Sequence, residues 1–126
     1  MSASESIGIA VDDLFAARMT IDTRSFPRKI MRCQAIVVIP GVTPISARTL
    51  DISLGGVSIV IAEQLRVGQE CKVGFEAPLN GKTVRVMGAA KVVYSILSGA
   101  DGFRVGMQFL KLDPANHKTV AELMMG

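Results

Sequence analysis

Two short clusters in the first half of the chain combine residue types suited to a planar, anionic ligand. Arg24-Ser25-Phe26-Pro27-Arg28 sets two guanidiniums four residues apart, with Lys29 and Arg32 close behind. Each guanidinium is a planar fork of donors that matches phosphate bidentately, and it can also bind the O6 and N7 edge of guanine or stack on its ring. The second cluster is Asp51-Ile52-Ser53-Leu54-Gly55-Gly56. Asp51 can accept from an N1–H and N2–H edge such as that of guanine, Ser53 can both donate and accept, and Gly56 permits close approach or an unusual φ. Taken singly, the first cluster reads as solvated charge beside a turn, and the second as an Asx-turn followed by glycine.

Other chemistry finds little support. Cys33 and Cys71 lie in apolar stretches, and the single histidine, His117, is far from both in sequence. Zinc needs more ligands than these, so the thiols read as small buried hydrophobes. Lys82, Arg85 and Lys91 read as solvated charge, and the seven methionines as core or helix filler. There is no nucleophile elbow, phosphate-binding P-loop, HExxH or paired-carboxylate arrangement, so no enzyme is expected.

The charge is uneven. Residues 18–48 carry six basic side chains against the single acid Asp22, a net +5, whereas the whole chain is +3 and the remainder therefore −2. That asymmetry favours an anionic partner near the arginine cluster. Hydrophobic residues make up 49% of the 126 and charged residues 20%, which fits one packed domain rather than a disordered chain. No apolar run is long enough to span a bilayer, and the acidic, serine-rich N-terminus is unlike a secretory signal, so a cytoplasmic location is expected.

The elements that must position these residues are mostly strands. Fourteen valines, eleven isoleucines and regular turn signals predict strands over 32–39, 45–52, 56–62, from Glu70, over 82–97 and over 103–109. Pro78, Asn80 and Gly81 mark a turn, and Gly88-Ala89-Ala90 marks a bulge or bend that lets a long strand curve. Six strands in succession predict a mainly β fold, a six-stranded antiparallel β-barrel, because closure removes exposed edges. Asp113-Pro114 opens a C-terminal α-helix. Val11, Leu14, Phe15 and Met19 predict a short N-terminal helical segment within an extension over residues 1–23, and the barrel domain with its C-terminal helix occupies 24–126.

The two clusters in this order, together with Phe-Arg-Val-Gly-Met-Gln-Phe at 103–109, resemble the PilZ domain family over about residues 24–124. The resemblance implies a bacterial receptor for cyclic di-GMP, with no other cofactor, that relays the signal to an unidentified effector protein in motility, pilus, biofilm or exopolysaccharide control. Residue by residue it assigns Arg24 and Arg28 to phosphates and guanine faces, Asp51 and Ser53 to a guanine edge, and Gly56 to a compact turn under the base. Thr23 stands where many members carry a further arginine, which leaves ligand stoichiometry open, as is a homodimer. Arg28 to Arg32 also spells RxxxR, but Arg32 is expected inside the first strand, so Arg24 to Arg28 is preferred. One alternative is a PilZ-like adaptor that works without nucleotide. The other, a single-stranded nucleic-acid binder, lacks aromatics to interleave with its basic residues, so no nucleic-acid polymer is expected.

Overall fold

The structure, a computed structural model, describes residues 26–125; Arg24, Thr23 and the helix expected over Val11–Met19 lie outside them. Alternating apolar residues form strands β1 (Lys29–Ile30), β2 (Gln34–Val38), β3 (Ile45–Ile52), β4 (Gly56–Ile61), β5 (Glu70–Leu79), β6 (Lys82–Leu97) and β7 (Phe103–Lys111), followed by helix α1 (Pro114–Met125). All pairings are antiparallel, in the order β3-β2-β5-β6-β7-β4, and β4 returns to β3. The result is a closed six-stranded barrel with a C-terminal helix, and β1 adds two residues to the edge of β3.

The first strand differs from expectation. Instead of one strand over 32–39, β1 and β2 use the same edge of β3 on either side of a break at 31–33. Thr49 fills the break: fully buried, its hydroxyl accepts from the Cys33 N–H at 2.8 Å and donates to the Met31 carbonyl. Arg32 therefore lies exposed in the break and not within a strand. The turn after β5 is also shorter than expected. Asn80 and Gly81 both take positive φ, as a two-residue hairpin requires, and β5 runs through Pro78 because that residue lies beyond the last β2–β5 pair.

Inward side chains fill the barrel, with Val37, Ile52, Ile59, Val73, Val86 and Val105 at 0% exposure. Helix α1 adds Val120 and Leu123 to this core, and full burial of such side chains contributes roughly 1.5–3 kcal/mol each. Its start is fixed by Asp113, whose Oδ1 accepts from the Asn116 N–H at 2.8 Å, and this bond, with those from the Asn116 side-chain amide, holds the Asp113 carboxyl below its usual range. Asn116 Oδ1 in turn accepts from the Met87 N–H on β6 at 3.0 Å. At the other end Lys29 Nζ donates to the Leu123 carbonyl at 3.0 Å, a cation at a helix C-terminus that ties α1 to β1. The residue before Lys29 is Arg28, so the helix and Thr49 together fix where that arginine emerges.

Both cysteines are buried and unpaired, and burial pushes the Cys71 thiol up, which suppresses its nucleophilicity. No helix among the described residues is long and apolar enough to cross a membrane.

Replacing Thr49 with the near-isosteric valine leaves the Cys33 N–H buried without a partner. Thr49→Val is expected to lower stability by about 1–3 kcal/mol, read as a lower urea midpoint with unchanged slope; an unchanged midpoint would show that the bridge across the break is dispensable.

Candidate functional site

Two β-bulges build the site. On β3, Ala47 and Thr49 point inward, and continued alternation would send Asp51 inward as well. The β3–β4 register instead slips between Thr49 and Asp51, so Leu50 is the extra residue and Asp51 turns outward, opposite Ser58. On β6, Val92 points into the core, and alternation would carry Tyr94 inward too. The β6–β7 register slips between Val92 and Tyr94, leaving Val93 as the extra residue and laying Tyr94 on the outer face opposite Gly106. A β-carbon on Gly106 would overlap the tyrosine ring, so glycine there is what lets the ring lie down.

These outward groups form one hydrogen-bonded chain. Arg28 Nη1 donates to Asp51 Oδ1 at 2.6 Å and to Ser58 Oγ at 3.3 Å, and Ser58 Oγ bonds Tyr94 Oη at 3.2 Å. Ser58 is on the outer face yet only 3% exposed, because Arg28 and Tyr94 cover it. Two adjoining cavities meet at Arg28 and Tyr94. One, of about 370 Å³, is lined by Arg28, Ile30, Arg32, Leu50, Asp51, Ser58, Tyr94 and Arg104; the other, of about 320 Å³, runs past Phe26, Ser53, Gly56 and Phe109. The first cavity has three guanidiniums against one carboxylate, a positive balance suited to an anion. Arg28 engages only Oδ1, so Asp51 Oδ2 remains for an external donor pair.

The turn after β3 is built by Ser53. Its buried hydroxyl accepts from the Gly55 and Gly56 N–H groups, both at 3.1 Å, so the turn is closed by a serine rather than by Asp51. A β-carbon on Gly56 would run into the Met107 carbonyl oxygen, whereas one on Gly55 would meet the Phe26 ring at 2.7 Å. Gly56 thus allows β4 to lie close to β7, and Gly55 seats the aromatic residue that lies between the two motif arginines in sequence.

Of the five residues singled out in the sequence, Arg28 and Asp51 meet directly, Ser53 and Gly56 shape the turn beside them, and Arg24 lies outside the described residues. Sequence reasoning missed Ser58, Tyr94 and Arg104. The glycine at 106, inside the otherwise regular Phe103–Phe109 alternation, was the available signal that another group lies against that strand. A groove of about 600 Å³ elsewhere, lined by Ile36, Arg48, Arg85 and Met87 among others, contains none of the motif residues.

This barrel fold has counterparts among known proteins. The PilZ domain family model matches residues 22–126, and the chain belongs to that family. No curated protein matches it in sequence. The Bacillus subtilis inhibitor of motility MotI/DgrA is similar in structure at a TM-score of 0.72 and 14% identity, over 87% of this chain and 54% of that one. Escherichia coli YcgR, solved in complex with cyclic di-GMP, gives 0.65 at 16% identity over 82% and 45%. The PilZ domain of YcgR with cyclic di-GMP gives 0.56 at 15% identity, over 82% and 90%. The chain thus spans about half the length of the first two proteins, and at these identities the likeness is one of fold.

The two turn glycines should respond differently to an added methyl group. Gly56→Ala meets backbone and is expected to cost about 1–3 kcal/mol, seen as a clear drop in Tm, whereas Gly55→Ala displaces only the Phe26 ring and leaves Tm near wild type. Equal Tm values for the two variants would contradict the close β4–β7 approach.

Proposed function

We propose that this protein is a non-catalytic cytoplasmic receptor for cyclic di-GMP that passes the signal to a separate effector protein. The observation that carries the reading is the convergence of Arg28 and Asp51 on the outer face of the barrel, at two adjoining cavities beside the Ser53–Gly56 turn. Family membership supports it, as do the two neighbouring structures solved with cyclic di-GMP.

The chemistry follows from the groups present. Cyclic di-GMP carries two phosphates and two guanines. Arg28, with Arg24 from the preceding segment, holds phosphate and guanine faces, while Asp51 accepts from the N1–H and N2–H edge of one guanine. Ser53 and Gly56 act through the turn, which keeps β4 low enough for a base to lie against the barrel. An ion pair as exposed as Arg28–Asp51 contributes about 0–1 kcal/mol to folding, so both residues are available for recognition at small structural cost. Motility is the process favoured by the likeness to an inhibitor of motility; pilus, biofilm or exopolysaccharide control are the other outputs this class of receptor would serve.

Titration calorimetry with cyclic di-GMP, against GTP and cyclic di-AMP, tests the reading. Selective micromolar binding is expected. Because each charge-assisted hydrogen bond contributes roughly 1.5–3 kcal/mol, Arg28→Ala and Asp51→Ala should each weaken binding at least about tenfold and take it out of the measurable micromolar range, with circular dichroism unchanged. Retained affinity in both variants would refute the site, and no binding by wild type would leave a nucleotide-independent adaptor.

A further inference from the structure

The cavity bounded by Arg28 and Asp51 has walls that neither motif explains. Strand pairing fixes their position: Ile30, Asp51, Ser58, Gly106 and Tyr94 are successive partners across β1, β3, β4, β7 and β6. Arg104 lies two residues from Gly106 on the same outer face of β7, paired with Val60, and lines the same 370 Å³ cavity. Among the described residues Arg28 is paired with Asp51, whereas Arg32 and Arg104 have no carboxylate partner. Two unpaired guanidiniums at one cavity leave a positive potential that a phosphate group would neutralise. Tyr94 is held by Gly106 beneath its ring and by Ser58 at its hydroxyl, so it borders both cavities as a fixed aromatic surface. A fixed ring gives a base a stacking platform at little cost in conformational entropy.

The geometry points to Tyr94 and Arg104 as further ligand-contacting residues: the Tyr94 ring is the platform for one guanine, and the Arg104 guanidinium, with Arg32 beside it, grips a phosphate. This assignment rests on the reading of the site as a cyclic di-GMP receptor. Arg28 and Tyr94, common to both cavities, then form the ridge across which the ligand lies.

Calorimetry of the full chain with cyclic di-GMP tests it, comparing wild type with Tyr94→Ala, Tyr94→Phe, Arg104→Gln and Arg85→Gln. Arg85 pairs with Glu76 on the groove that lacks motif residues, so Arg85→Gln removes the same charge elsewhere. Tyr94→Ala and Arg104→Gln are each expected to raise Kd about tenfold, Tyr94→Phe, which keeps the ring but loses the Ser58 bond, is expected to fall between wild type and Tyr94→Ala, and Arg85→Gln retains wild-type affinity. Arg104→Gln should also flatten the dependence of Kd on salt, which a purely structural role would not alter. Arg104 is exposed, so its variant remains informative should Tyr94→Ala fail to fold. Wild-type affinity in a folded variant strikes out that residue; if both retain it while Arg28→Ala loses binding, the inference falls and the receptor reading stands. Absence of binding by wild type removes both.

Discussion

A β-strand gives alternate residues to opposite faces, and a closed barrel with a packed interior makes that alternation binding on every strand. A carboxylate on β3 in phase with Thr49 would be buried in the core, where an unpaired charge is not tolerated. The extra residue at Leu50 resolves this by reversing the phase, and the extra residue at Val93 does the same for Tyr94. Both slips fall beside β4 and β7, which pair without interruption from Gly56↔Gln108 to Ile61↔Phe103. That regular ribbon is the floor and carries Ser58 and Arg104, and the bulged strands on either side turn Asp51 and Tyr94 onto the same face.

The polar chain across this floor is a positioning device more than a source of stability. Arg28 and Asp51 are too exposed for their ion pair to matter much to folding, yet Arg28 also covers Ser58, and Ser58 fixes the tyrosine hydroxyl. Stability resides elsewhere, in the aliphatic barrel interior and the helix packed against it. The two are linked through Lys29, which follows Arg28 and is bound to the carboxyl end of α1. The candidate recognition groups are thereby held on the paired strands and at the entry to β1, and the exposed Arg28–Asp51 contact is open to exchange with the proposed ligand.

Much of this was legible in the sequence because it follows from local rules. The alternation of Phe103, Val105, Met107 and Phe109 identifies β7, and Asp113-Pro114 marks the helix start. The composition of the two clusters picks out Arg28 and Asp51. What stayed hidden depends on register. Whether Asp51 faces in or out turns on one unpaired residue, Leu50, whose side chain is of a type equally at home in a regular strand. The break between β1 and β2 depends on Thr49 reaching back to Met31 and Cys33 from another strand, so Arg32 was expected within a strand and in fact lies free of one. Tyr94, the only tyrosine in the chain, becomes meaningful once the second slip sets it over Gly106.

Cyclic di-GMP is proposed to bind at this outer face of the barrel and at no other. Amide chemical-shift mapping of the isotope-labelled chain during titration tests it most directly. Shifts are expected to concentrate on Asp51, Ser58, Tyr94, Arg104 and Gly106 and on the Ser53–Gly56 turn. No shifts at saturating ligand, or shifts confined to the groove around Ile36 and Met87, would contradict it.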